Sequence, residues 1–350
     1  MSFLQKYYTF KELFHEHQDT LDDLFLNEVP STYFLNKRQE LLDHSQKNIY
    51  YLKLKEQSNI PSAFFQFSLE EQNMKPLLGR KEVFMNRLFN YPNVLKTLRA
   101  QSYGQKGMGV LAKNNDDILN IERQMQEIIK EESIQEKVHF STYDIHDIDW
   151  KDEKIIEDGL GSRLLPIKKE FHSYENYLNS LSEKVVHDVK NLWQRIYDNK
   201  RVHIRKYSHA NEISQHLNFF IWNQIIGINN YLTLTQEFPF ILFSIEIESS
   251  PIGVILFWES EDGKKLFCEI HLGHHKRDHF LYEYSLQHAI MFFYKLKNYE
   301  ELLFINQKFV PSDVNYFESI NLPSENFRHI TISFHKKINK LIAPYRMSFI

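Results

Sequence analysis

"SYENYLNSLSEKVVHDVKNLWQRI", Ser173 to Ile196, lies halfway along a chain of 350 residues. Tyr174, Tyr177, Leu178, Leu181, Val185, Val189 and Leu192 recur at helical spacing between charged residues, which predicts an amphipathic helix over Ser173–Tyr197. Pro166 stands before it, and the basic, strand-like "RVHIRKY" of Arg201–Tyr207 follows it. A proline and then a fresh helix mark the start of a new unit. The chain accordingly divides into residues 1–165 and 166–350.

Each half reads as the same plan. In the first, Phe10–Phe25 is an amphipathic helix that Pro30 ends, and Ser31 or Thr32 caps a second helix. The period then changes to two. Tyr50, Leu52 and Leu54 alternate with Tyr51, Lys53 and Lys55, and a second β-like run follows from Ala63 to Leu69, which predicts a hairpin. Lys81–Thr97 reads as irregular or helical. Asp116 or Asp117 caps a helix carrying Ile118, Ile121, Met125, Ile128 and Ile129 on one face. "KVHFSTYDI" is a strand, and a turn is expected at Gly159 and Gly161.

In the second half Asn211–Gly227 reads as a helix. Three strands then follow, joined by turns at Ser249-Ser250-Pro251 and Glu261-Asp262-Gly263. Asp278–Tyr299 is a helix, "ELLFINQ" a strand, and "RHITISFHKKI" a strand near the C-terminus. The halves match in pattern and hardly in letters. The expected fold class is α/β, with mixed sheets covered by helices in two tandem units. One large α/β domain with two similar hairpins is the alternative.

Composition narrows the function classes. The net charge of -4 disfavours a protein that tracks a nucleic-acid backbone. A single cysteine, Cys268, excludes a disulfide within the chain and a zinc–thiolate site. The longest apolar runs, "FFIW" and "AIMFFY", are too short to span a bilayer, and the start has no apolar core of signal-peptide length. A soluble, cytoplasmic, bacterial-type protein is expected.

The order helix–helix–hairpin–strand–loop–helix–strand resembles the GNAT acyltransferase fold. Two copies in tandem resemble the Fem-type peptidoglycan aminoacyltransferases and their bacterial relatives. Tyr177, Leu178, Ser180, Leu181, Ser182 and Lys184 carry the likeness most specifically; at Val186-His187 this chain departs from the arginines usual there. "PSTYFLNKRQELL" and "SSPIGVILFW" extend the likeness more weakly. The resemblance implies transfer of an acyl or aminoacyl group to an amine acceptor. The donor it implies is an acyl-CoA, an acyl carrier protein or an aminoacyl-tRNA, the last disfavoured by charge. No tightly bound cofactor and no metal are implied. The rival reading is a catalytically silent GNAT-like module that recognises a partner or small molecule.

Acyl transfer to an amine needs a proton acceptor, donors for an oxyanion and positioning, so no conspicuous triad is required. "LFCEIHLGHHKRDHFLYEY" is the richest stretch. Alternation puts Phe267, Glu269 and His271 on one strand face and Cys268, Ile270 and Leu272 on the other. Glu269 or His271 is the candidate base; the plainer reading is a solvated strand face. The resemblance places pyrophosphate binding at the loop before the next helix, where Gly273, Lys276 and Arg277 are the candidates, although a glycine-rich pattern is missing. In the first half, Gly104, Gly107 and Gly109 form the best phosphate loop by glycine content. Tyr282 and Tyr284 are candidate proton donors to a leaving thiolate, against a core reading. Lys308, beyond the penultimate strand, is a further candidate that the resemblance suggests. His271, His274, His275 and His279 share this stretch but lack the companion ligands a metal needs. Cys268 reads as a small hydrophobe within a strand.

Overall fold

The computed structural model describes residues 2–25, 29–43, 47–55, 60–73, 94–100, 110–112, 118–145, 155–198, 202–207, 234, 236–247, 250–272, 279–305, 317 and 320–334. The fold class is α/β with two mixed sheets.

In the first half β1 (Ser2–Tyr7) precedes helices α1 (Phe10–Phe25) and α2 (Thr32–Asp43). Thr9 Oγ1 accepts from Glu12 N at 3.3 Å and Ser31 Oγ from Phe34 N at 3.0 Å, so both helices start on hydroxyl caps. Strands β2 (Lys47–Lys55), β3 (Pro61–Asn73), β4 (Val94–Ala100) and β5 (Val110–Ala112) follow, then α3 (Ile118–Gln135), β6 (Phe140–Ile145) and β7 (Ile155–Leu164). The second half runs β8 (Ile167–Lys168), α4 (Tyr174–Asn179), α5 (Glu183–Asp198), β9 (Val202–Tyr207), β10 (Phe240–Ile247), β11 (Ser250–Glu259), β12 (Lys265–Leu272), α6 (His279–Lys295), β13 (Glu301–Phe304) and β14 (Ser324–Ser333).

Register exposes the repeat. The first sheet is ordered β1-β2-β3-β4-β6-β14-β7 and the second β9-β10-β11-β12-β13-β8. Each begins with three antiparallel pairs, continues through one parallel pair (β4 with β6, β12 with β13) and then adds an antiparallel strand. That strand is β14 in the first sheet, contributed by the second half, and β8 in the second sheet, from the start of the same half. A helix precedes the parallel strand in each case, α3 or α6, as a parallel crossover requires. The chain passes from one sheet to the other between Leu164 and Ile167, across Pro166.

Several local expectations change. A short strand, β1, precedes the first helix pair, whereas α4 and α5 come before the corresponding strand β9. The helix expected over Ser173–Tyr197 is two helices. Ser173 caps the first, and the break falls at Ser180–Ser182, where serine side chains bond locally and compete with the helical ladder. Val94–Ala100 is a strand, because pairing with both β3 and β6 overrides weak local preference. Gly159 and Gly161 do not turn the chain. They lie within β7, paired with His329 and Phe327 of β14, whose ladder holds the segment extended. The helix expected over Asn211–Gly227 falls outside the described residues.

The Glu261-Asp262-Gly263 turn forms as its residues predict. Gly263 has φ +66°, and Asp262 Oδ1 accepts from Ser260 Oγ at 2.5 Å and Lys264 N at 3.0 Å. α2 is buried towards both sheets. Gln39 meets the first sheet, where Tyr50 Oη and Gln66 Nε2 both donate to its Oε1. Phe34 and Arg38, one turn apart, meet the second. The resulting core cluster joins Phe10, Leu13, Phe25, Tyr50 and Phe64 of the first half to Phe240, Leu256, Trp258 and Phe267 of the second. A separate cluster fills the other face of the second sheet, beneath α4, α5 and α6.

Candidate functional site

The expected alternation along β12 holds. Phe267 belongs to the core shared by the two halves, while Leu266 and Cys268 point into the cluster under α6. Glu269 therefore projects towards the first half, and it is fully buried there. Its face is not a solvated strand edge.

Three side chains converge on this carboxylate. Arg38 Nη1 donates to Glu269 Oε1 at 2.7 Å and Nη2 to Oε2 at 3.1 Å, a two-toothed pair between residues 231 apart in sequence. Trp258 Nε1, on the neighbouring strand β11, donates to Oε1 at 3.0 Å. His271 Nε2 lies 3.1 Å from Oε2. Arg38 is as secluded as the glutamate, and His271 keeps 14% of its side-chain surface exposed. Phe34 packs at a tilt against Trp258 with ring centres 4.9 Å apart, so one turn of α2 fixes both the arginine and the ring beside it.

Burial alone would push the Glu269 carboxyl up. The Arg38 charge and the His271 hydrogen bond more than reverse this and hold it well below the usual carboxylate range. An ionised carboxylate of that kind accepts hydrogen bonds well and takes up protons poorly. Within the pair, the basic chemistry belongs to the imidazole.

Among the described residues, β12 outruns its parallel partner. Its parallel register with β13 covers Lys265–Cys268, followed by a bond from Ile305 N to Cys268 O at 2.9 Å. β12 then continues to Leu272 alongside β11. Gly253 of β11 stands opposite Leu272. A Cβ there would approach Leu272 Cδ2 to 2.7 Å and His271 O to 3.3 Å, so the glycine lets the two strands close beside the histidine.

The structure brings together Glu269 and His271 among the sequence candidates. Tyr282 is half-buried and packs with Tyr284 in the cluster under α6, across the sheet from Glu269. Burial raises the Tyr284 hydroxyl far above its ordinary range, as a core tyrosine requires. Cys268 is buried on that side too, its thiol pushed up by burial and by the Glu269 charge, which disfavours the thiolate. Lys308, the loop residues Gly104, Gly107 and Gly109, and Gly273, Lys276 and Arg277 lie outside the described residues. Arg38 and Trp258 are the residues sequence reasoning missed.

No protein-family model and no curated protein sequence matches this chain. Solved structures similar to it include a tandem GNAT protein from the clavulanic acid biosynthesis pathway, at 7% identity, TM-score 0.46, covering 95% of this chain and 98% of that one. N-myristoyltransferase of Saccharomyces cerevisiae, solved with bound myristoyl-CoA, is similar at 9% identity and TM-score 0.43, over 94% and 80% of the two chains. A GCN5-related N-acetyltransferase from Sphaerobacter thermophilus is similar at 10% identity and TM-score 0.39, over 94% of each. Likenesses this distant do not transfer a reaction to this chain. Its site stands on its own geometry. Among the described residues no helix is long and apolar enough to cross a membrane.

Proposed function

We propose that the protein is an N-acyltransferase that moves an acyl or aminoacyl group from a thioester or ester donor to an amine, with His271 as the general base. The observation that supports this reading most directly is the His271–Glu269 pair towards the C-terminal end of β12. With Nε2 hydrogen-bonded to an ionised carboxylate, His271 carries its proton there and presents Nδ1 as the basic nitrogen. The acceptor amine gives a proton to Nδ1 as its nitrogen bonds to the acyl carbon. The carbon–sulfur or carbon–oxygen bond of the donor then breaks, and the leaving group takes a proton back.

The end of β12 beyond its register with β13 suits a donor that carries amides, because strand edges bind extended amide chains through their backbone groups. The donor's phosphates are assigned to one of two loops, Gly104–Gly109 or the Gly273–Arg277 segment immediately before α6. An acyl-CoA meets both requirements; an acyl carrier protein presents the same phosphopantetheine arm. Complete burial of the Arg38–Glu269 pair favours a second reading, a silent module in which the pair only locks the halves together.

The test is a panel of acyl-CoA donors and amines assayed by thiol release, with donor binding read by thermal shift. Turnover in the wild type and a loss of roughly a hundredfold or more in His271→Gln, with donor affinity nearly unchanged, is the expected result. Donor binding without turnover selects the silent module. Full activity in His271→Gln overturns the catalytic assignment.

A further inference from the structure

We propose that Arg38, supplied by the first half of the chain, is a positioning residue that sets the tautomer of His271 in the second half. The inference rests on the reading of His271 as the base, and it gives the first half a part in that chemistry.

The argument begins with the carboxylate. Glu269 is completely buried, and a carboxyl taken out of water without a counter-ion keeps its proton. Arg38 supplies that counter-ion through two hydrogen bonds and remains charged at any working pH. An ionised carboxylate is an acceptor only, so the hydrogen bond at 3.1 Å requires the proton to sit on His271 Nε2. Nδ1 then holds the lone pair that an amine proton needs. A neutral Glu269 reverses the bond. Its O–H donates to Nε2, the ring proton moves to Nδ1, and the basic nitrogen is turned back into the protein. Trp258 cannot replace the arginine, because its Nε1–H supplies a hydrogen bond without a charge.

The position of Arg38 is itself well determined. Phe34, one turn earlier, is seated on Trp258, and Gln39 is bonded to Tyr50 and Gln66 of the first sheet. α2 thus ties the packing of the first sheet to the protonation of a side chain on the second.

Three full-length variants test this. Arg38→Met keeps the stem and removes the charge. Arg38→Met with Glu269→Gln removes both charges. Arg38→Lys keeps charge and loses the fork. For Arg38→Met we expect a melting temperature lower by on the order of 10 °C and turnover lower by roughly a hundredfold. The ¹⁵N shifts of the His271 ring at neutral pH should move from the Nε2–H to the Nδ1–H tautomer. The double variant should regain most of the lost melting temperature, because no buried charge is left unpaired, while its turnover stays low. Arg38→Lys should keep the Nε2–H tautomer and about a tenth or more of the turnover.

Restoration of turnover together with stability in the double variant makes Arg38 merely structural and overturns the proposal. So does an unchanged His271 tautomer in Arg38→Met or, should that variant not fold, loss of the Nε2–H tautomer in folded Arg38→Lys. If the wild type turns over no donor and amine, the acyltransferase reading fails by itself. The ring spectra then still decide whether Arg38 governs His271.

Discussion

Glu269 and His271 are two residues apart on one strand, yet their surroundings give them different tasks. Glu269 has no exposed surface and shares its two oxygens among Arg38, Trp258 and His271. Glu269→Gln removes a charge and leaves Arg38 buried opposite a neutral amide. The expected cost is about 3–5 kcal/mol, the scale for breaking one side of a buried ion pair, measured by urea denaturation. His271→Gln surrenders one charge-assisted hydrogen bond at a partly exposed site and should cost about 1–2 kcal/mol. Equal losses in the two variants would contradict the division of roles. Their shared face was legible from alternation. Arg38 was not, since nothing local to "LNKRQ" shows that one of its cations will meet a glutamate 231 positions away.

A second residue reports on acid. His288 on α6 is buried among Phe243, Tyr284 and Trp193, and neither of its ring nitrogens has a hydrogen-bond partner among the described residues. Burial, with a smaller contribution from the Lys295 charge, pushes it down to about 4 from an ordinary 6.5. The folded state therefore binds this proton less readily than the unfolded state. Stability from the neutral ring is fully present above pH 6.5 and is lost as pH falls from there through 4. At pH 5 the loss from this group is about 2 kcal/mol. His288→Phe should flatten the fall in stability between pH 7.5 and pH 5 by that amount, seen as a lower acid midpoint in circular dichroism. An unchanged midpoint would mean that the site admits the charged ring.

At the scale of elements, α6 shows how a distant segment finishes a helix. Lys169, just past β8, donates from Nζ to the carbonyls of Phe293 and Leu296 at the helix C-terminus, and its own backbone N–H bonds Glu300 O at 2.8 Å. Cations are favoured where the last carbonyls lack intrahelical partners. Lys169→Met keeps the aliphatic stem and should cost about 1–2 kcal/mol, with faster amide exchange in the last turn of α6 as the local sign. Amide exchange unchanged there would show that water replaces the lysine. The helix itself was legible from its apolar residues and its hairpin neighbours from their turn residues. The glycines of β7 were misleading, because a glycine speaks for a turn only until a partner strand holds it extended.

At the scale of the molecule, the second half lends a strand to the first sheet and the two halves share a core. β14 lies between β6 and β7 in the first sheet and buries Phe327, Ile330 and Ile332 there. A chain ending at Pro323 would leave β6 and β7 without the strand that joins them. It should lose the cooperative unfolding transition and bind a dye for exposed apolar surface. In the intact protein, tryptophan fluorescence and far-ultraviolet circular dichroism should give coincident urea transitions, since the core around Phe34 and Trp258 belongs to both sheets. Separate transitions would show two independently stable halves.

The sequence by itself determined the local and periodic features of this protein. Period-two alternation placed the hairpins, helical spacing placed α1 and α3, and Asp262-Gly263 fixed the turn before β12. Each depends on residues within a few positions of one another, where side-chain period and backbone preference act directly. Only the tertiary structure decided that a strand of the second half completes the first sheet, and that β12 turns Glu269 inward onto Arg38. Those outcomes depend on which buried surfaces meet. A face carrying Phe267, Glu269 and His271 has the same spelling whether water or an arginine from another helix covers it, and desolvation is settled by the covering.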